Sequence, residues 1–357
     1  MSTTLRDLLG VEYPIIQAPM AGVQGSALTI AVCNAGGMGS LPCAMLSPAA
    51  IRDELGRIAA RTNKPYNVNF FCHEPPTPDA ERDAAWRAVL APYYREFGLD
   101  VEAIPAGAAR VPFNEEAADV VSEFKPAVVS FHFGLPAPEL LARVRSWGAK
   151  VLSSATTVDE ARWLEMHGAD VIIAQGLEAG GHRGMFLSDE VTEQIGTLAL
   201  LPQIVDAVKV PVVAAGGIVD ARSVAAAMAL GAAGVQVGTA YLLCPEATTS
   251  AVHRAALRSE ASRHTALTNV FTGRPARGIM NRIMRELGPI SAAAPEFPLA
   301  VFALAPLRAA AESRGLGDFS PLWSGENAGG CKETPAAALT LELAEGTKET
   351  GSHRETK

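Results

Sequence analysis

Charge and cysteine pattern are the first things this sequence lacks. Charged residues make up only 19% of the 357, and the formal net charge is −8. That balance lacks the clustered Lys and Arg of a nucleic-acid-binding face, so no nucleic-acid partner is expected. The five cysteines, Cys33, Cys43, Cys72, Cys244 and Cys331, are odd in number and form no C-x-x-C pair. A disulfide scaffold and a structural zinc site are both disfavoured, and without an activating histidine nearby the thiols read as small buried hydrophobes. No apolar run reaches the length of a membrane span, and MSTTLRDLLGVEYP holds no signal-peptide core. The G-x-G-x-x-G and P-loop fingerprints are missing, and no H-E-x-x-H or other carboxylate–histidine spacing predicts a metal. What remains is a globular chain with 48% apolar residues, expected in the cytoplasm and without a membrane partner.

What is present is a rhythm. The length fits two domains, or one large α/β barrel with additions. Short β-rich runs alternate with longer Ala/Leu-rich segments, the pattern of βα units around a parallel sheet. Eight strands are expected at 14–18, 38–41, 66–70, 127–131, 150–154, 170–175, 211–215 and 234–237, with helices at 47–61, 136–147, 157–168, 196–208 and 220–231 among them. Eight such units close a TIM (β/α)8 barrel. The predicted organisation is a barrel over 1–255 with a long insertion at about 71–117 after strand 3. A small, mainly helical C-terminal domain over 256–335 acts as substrate domain or lid, and a disordered tail spans 336–357. Loops at the C-terminal ends of barrel strands carry the chemistry of this fold, so an insertion there is placed to shape a site.

The strongest local signal is AQGLEAGGHRGMF (174–186), directly after the sixth strand. Glycines around His182 permit close backbone approach to a planar or anionic ligand, and an imidazole on that rim suits a general base. The plainer alternative is a tight loop whose histidine only hydrogen-bonds backbone; the Glu178, His182 and Arg183 cluster favours chemistry. AAGGI (214–218) and VGTAY (237–241) follow strands seven and eight, where barrels often bind phosphate through glycine N–H groups. Gly216 and Gly217 remove blocking side chains, and Thr239 adds a hydroxyl. Gln17, Asn69, His132 and Gln175 fall at or near strand ends, where amides can meet a heteroaromatic ring. His73, His167 and His253 read as a turn residue and two solvated helix residues; His264 and His353 carry no signal. Phosphate loops, amides and a histidine on one rim favour a phosphate-bearing cofactor.

In order along the chain, QAPMAG, NVNFFCHEPP, SFHFGLP, GLEAGGHRG, VAAGGI, QVGT and FTGRPARGIMNR resemble the nitronate monooxygenase (2-nitropropane dioxygenase) family, in its branch with FCH, HFG and EAGGHRG signatures. The likeness covers about residues 10–330. It implies FMN between barrel and small domain, held by Asn69, Gln175, Gly180, Gly181, Gly216, Gly217, Gln236, Val237, Gly238 and Thr239, with phosphate at Gly238 and Thr239. Met20 and Ala21 would lie near the isoalloxazine ring. His182 is implied as catalytic base and substrate contact, and His132 as a residue placing the nitro or nitronate group; a protonated His182 would favour an anion. The implied reaction oxidises alkyl nitronates, and nitroalkanes, with O2 to carbonyl compounds and nitrite through a flavin semiquinone. Association of like chains is left open.

One stretch departs from the branch. Where Tyr, Tyr and Lys recur at four-residue spacing, APEFPLAVFALAPLR offers Phe297, Val301 and Ala305, which leaves the preferred substrate open and suggests a larger or less polar one. Two other readings stand beside this one. The first is an FMN-dependent NAD(P)H reductase of the enoyl-acyl-carrier-protein or quinone type, which shares QAPM-, GGI- and GT-like loops. The second is an FMN-binding protein without turnover.

Overall fold

The computed structural model describes residues 4–104 and 110–348. Eight parallel strands form one sheet: β1 (Ile15–Gln17), β2 (Ser40–Pro42), β3 (Asn67–Phe71), β4 (Val128–His132), β5 (Lys150–Ala155), β6 (Val171–Gln175), β8 (Val212–Ala215) and β9 (Gly234–Val237). Their order is β1-β9-β8-β6-β5-β4-β3-β2, and a parallel bridge from Ile16 to Met38 closes the ring into a TIM barrel. β7 (Gly181–His182) lies outside the ring. Both faces of each strand are covered, so the strands are buried along nearly their whole length, and the polar residues among them, such as Asn67 and Ser130, bond one another at 2.9 Å. Val128, Leu152, Val171 and Val213 fill the interior at the base, and Leu5 and Leu9 of the helix Leu5–Leu9 plug it from below. Outside the ring, Leu200, Leu201, Ile204 and Val224 pack the helix layer against the strands. The expected helices appear as Pro48–Ala59, Pro138–Ser146, Val158–Met166, Thr197–Ala207 and Ala221–Ala229. Three of their starts are capped: Ser47, Thr157 and Asp220 each accept a first-turn N–H through the side chain.

Three regions differ from the sequence reading. The tail is the clearest correction. Residues 336–345 form a helix whose Ala336, Leu339, Thr340 and Leu343 are buried. It packs against the helices Ser26–Asn34 and Ala221–Ala229, and Thr340 Oγ1 and Tyr241 Oη share a buried hydrogen bond of 2.9 Å. This helix completes the layer around the barrel, and its apolar spacing, not the polar residues after it, decides its state. The part of the expected tail at 349–357 lies outside the described residues.

The insertion after β3 is the second difference. Its long helix Ala80–Phe97 shares a core with the C-terminal segment: Trp86, Leu90, Tyr94 and Phe97 meet Phe271, Leu304, Leu307 and Phe319. Trp86 Nε1 and Tyr94 Oη donate to the carbonyls of Ala300 and Ala303, both in the helix Ala300–Glu312, at 3.3 and 2.6 Å. Insertion and C-terminal segment therefore make one unit over the rim. The helix Glu115–Phe124, by contrast, returns the chain to the barrel, packing on Pro48–Ala59. The third difference is a hairpin among the C-terminal helices. β10 (Thr265–Thr268) pairs antiparallel with β11 (Ala276–Ile279), and β11 pairs with β7, setting Ala276 opposite His182. The FTGRPARG and GLEAGGHRG segments are thus neighbouring strands. Among the described residues no helix is long and apolar enough to cross a membrane, and no group of three or more His, Cys, Asp or Glu could hold a metal.

Candidate active site

A cavity of about 280 Å3 opens at the C-terminal rim of the barrel, under the added unit. Met20, Ala21, Asn69, His132, Gln175, Gly180, Gly181, His182, Gly216, Gly217, Gln236, Gly238 and Thr239 all line it. The exception is Val237, whose side chain is buried in the helix layer outside the barrel, so only its backbone is near. Gln17 also falls away: it lies in the interior, where it bonds Gln24 (2.7 Å) and the Ser40 N–H (3.1 Å).

One half of the cavity is bare backbone. Gly217 has φ +71°, a left-handed conformation that glycine alone adopts freely. A Cβ on Gly180 would sit 2.5 Å from the Gly325 nitrogen, so this glycine is fixed by close passage of another loop. That loop, 324–327, was not anticipated: the Gly325 N–H donates to Thr239 Oγ1 at 2.9 Å and Asn327 Nδ2 to the Gly217 carbonyl at 2.9 Å. No main-chain acceptor is found for the N–H groups of Gly217, Gly238 or Thr239 among the described residues. Gln236 Oε1 is buried with no partner. Asn69 Nδ2 is used on Ser130, at 3.0 Å to Oγ. Free main-chain donors beside one unmatched amide, that of Gln236, fit a ligand with an anionic end and a polar ring.

The other half is aromatic. The His182 ring lies 6.0 Å from Phe71, 6.0 Å from Phe133, 5.2 Å from Phe297 and 5.5 Å from Trp323, centroid to centroid. Its Nε2 meets Thr272 Oγ1 at 3.0 Å, and its carbonyl accepts from Gln175 Nε2 at 2.9 Å and from His132 Nε2 at 3.1 Å. A carbonyl can only accept, so His132 carries its proton on Nε2 and accepts from Ser154 Oγ on Nδ1, at 3.1 Å. Both nitrogens of His132 are thereby committed to the protein. Gln175 is committed too, its Oε1 accepting the Gly184 N–H at 2.7 Å.

Electrostatics follow from burial. His182 is held well below the usual imidazole range, first by burial and then by Arg110, His132 and Arg274; it is neutral at pH 7. This corrects the expectation of an imidazolium as the anion-favouring charge. Burial likewise holds His132 down at about 4. Arg183 is a correction of another kind. Fully buried, it clamps the end of β6 through Gln194, the Gly176 carbonyl and the Gln175 carbonyl at 2.8, 2.7 and 2.6 Å. Glu178 caps the helix Thr197–Ala207, accepting from the Thr197 N–H at 2.8 Å and its Oγ1 at 2.7 Å. Both side chains are thus committed to partners within the protein. His253, expected in solvent, is buried with Nε2 on the Trp323 carbonyl at 3.1 Å.

Comparison with known proteins agrees with this geometry. The model of the nitronate monooxygenase family matches residues 2–346. A nitronate monooxygenase of Pseudomonas aeruginosa is 41% identical over 348 residues, 97% of this chain and 99% of that protein. One from Paraburkholderia phytofirmans is 41% identical, with 95% and 93% covered. Among solved structures, nitroalkane oxidase from Streptomyces ansochromogenes is similar with TM-score 0.86 at 38% identity, covering 96% of this chain and 98% of that one. FabK from Thermotoga maritima is similar with TM-score 0.71 at 27% identity, covering 98% and 97%.

Proposed function

This chain belongs to the nitronate monooxygenase family and is an oxidoreductase, and from that premise we propose that it oxidises alkyl nitronates with O2 to carbonyl compounds and nitrite, using FMN held in the rim cavity. The observation that carries the reading is the neutral His182, set among four aromatic rings beside a glycine-lined cradle. The unpartnered Gln236 Oε1 and the free N–H groups of Gly217, Gly238 and Thr239 fit the two ends of FMN. Asn69, Gly180, Gly181 and Gly216 would hold its ring system with Gln236, and Met20 and Ala21 would lie along it. Bound there, FMN would supply the redox chemistry that links nitronate oxidation to dioxygen.

The protein's own part is orientation and proton transfer. Thr272 Oγ1, 3.0 Å from His182 Nε2, accepts from Nε2–H in the tautomer this reading assigns. That leaves Nδ1 unprotonated, ready to take the α-proton of a neutral nitroalkane. His132 and Gln175 fix the His182 backbone from below, and so serve as positioning residues. Phe71 and Trp323, which line the cavity, and Phe133 and Phe297, which pack against the His182 ring, keep the surroundings of that base apolar.

Purified flavoprotein incubated with propyl nitronate in an oxygen electrode should form nitrite and aldehyde in equal amounts as O2 falls. An enzyme that consumes NADH quickly and forms no nitrite would replace this reading with that of a reductase.

A further inference from the structure

One cation at the cavity has no protein counter-charge. Arg110, from the insertion after β3, lines the pocket. Among the described residues its guanidinium makes no ion pair or hydrogen bond; its one polar contact is its backbone carbonyl, which accepts from His73 Nε2 at 3.0 Å. The neighbouring arginines are placed differently. Arg274 does not line the cavity: it stacks on the Phe133 ring at 4.2 Å and donates to the Met185 carbonyl, with its Nε buried and unmatched. Arg277 pairs with Glu326 at 3.0 Å, and Arg308 pairs with Glu312 at 2.8 Å. A guanidinium offers five N–H donors, and leaving them unmatched in a half-buried place is unfavourable unless an anion arrives.

The placement is specific. Arg110 Cζ lies 5.5 Å from the centre of the Phe297 ring, and the His182 ring lies 5.2 Å from the same ring. Base and cation thus flank one aromatic side chain. His73, 4.9 Å from Phe297 and bonded to the Arg110 carbonyl, fixes the backbone that delivers the guanidinium. The C-terminal helix supplies no alternative: Val301 and Ala305 do not line the cavity, and Arg308, which does, is neutralised by Glu312.

We propose that Arg110 receives the negative charge of the nitronate, so that substrate recognition rests on the insertion after β3 rather than on the C-terminal helix. The inference depends on the substrate being a nitronate. Its test uses holoenzyme of matched flavin content as wild type, Arg110→Met and Arg110→Lys. Kinetics with propyl nitronate are paired with titration by nitrate, an unreactive anion read through the flavin absorbance. A charge-assisted contact of this kind predicts KM and the nitrate dissociation constant rising roughly 10- to 100-fold in Arg110→Met, kcat little changed, and much of the loss restored in Arg110→Lys. Values within about twofold of wild type in Arg110→Met would overturn it, as would equal losses in both variants. A wild type that never oxidises propyl nitronate, yet loses nitrate binding in Arg110→Met, would sink the reaction and keep the anion site.

Discussion

The two halves of the cavity are built from different materials. The cradle half is main chain: glycines at the ends of β6, β8 and β9 bring bare N–H groups to a ligand, and the strand ends together with the 324–327 loop set their positions. The aromatic half is side chain, assembled from β3, β4, the β7–β11 pair and residues around 297 and 323. A main-chain cradle tolerates little variation and serves one cofactor; a side-chain wall can be retuned without disturbing it. That difference explains how a chain can keep the family's glycine loops while carrying Phe297 beside His182, with Val301 and Ala305 set off the cavity.

The comparison can be broken most forcefully at His182. His182→Asn should lower nitrite release from neutral nitroalkanes by roughly 10²- to 10⁴-fold, with a much smaller loss on preformed nitronates, because only the former need a base. Equal losses on both would remove proton abstraction from its role. The pH profile sharpens the point. With the His182 pKa depressed, the base form persists on acidification, so kcat/KM for a nitroalkane should stay flat from pH 8 down to about 6.5 and fall only below that. On the cradle side, Gly180→Ala forces a Cβ to within 2.5 Å of the Gly325 nitrogen. Overpacking of about 1–3 kcal/mol should weaken FMN by roughly 10-fold or more, read by flavin fluorescence, with the protein still folded.

Smaller effects probe the wall and its support. A wall with Phe297 in place of a polar ring should favour longer alkyl nitronates over short acidic ones by a few-fold; strong preference for an acidic nitronate would contradict it. His253 reports on folding. Burial lowers it from 6.5 to about 4, so the unfolded chain binds the proton first. The stability it contributes is complete above pH 6.5 and is lost as pH falls through 4. Denaturant titrations at pH 7 and 4.5 should show His253→Gln losing roughly 2 kcal/mol less than wild type across that interval.

The sequence carried the cradle better than the wall, for physical reasons. Gly216, Gly217, Gly238 and Thr239 announce themselves because strand, turn and glycine lie within a few residues of one another. Thr272 lies in the FTGRPARG motif, but nothing local ties it to His182; Trp323 and Asn327 meet the rim only through contacts spanning about a hundred residues or more, as in the 110-residue separation of Asn327 from Gly217, and no local pattern marks them. Arg110 is marked only by the FCH segment whose His73 holds it. Polar residues near strand ends were over-read, since the sequence cannot say whether Arg183 or Glu178 points at a ligand or a backbone. The final helix was legible in principle: Ala336, Leu339, Thr340 and Leu343 repeat at helical spacing.

The most direct test of the account is an anaerobic titration of the purified flavoprotein with propyl nitronate, with NADH as the parallel reductant and visible absorbance as the readout. Prompt loss of the oxidised-flavin band with nitronate, and none with NADH over the same time, is the predicted result. Rapid bleaching by NADH with no response to nitronate would contradict it.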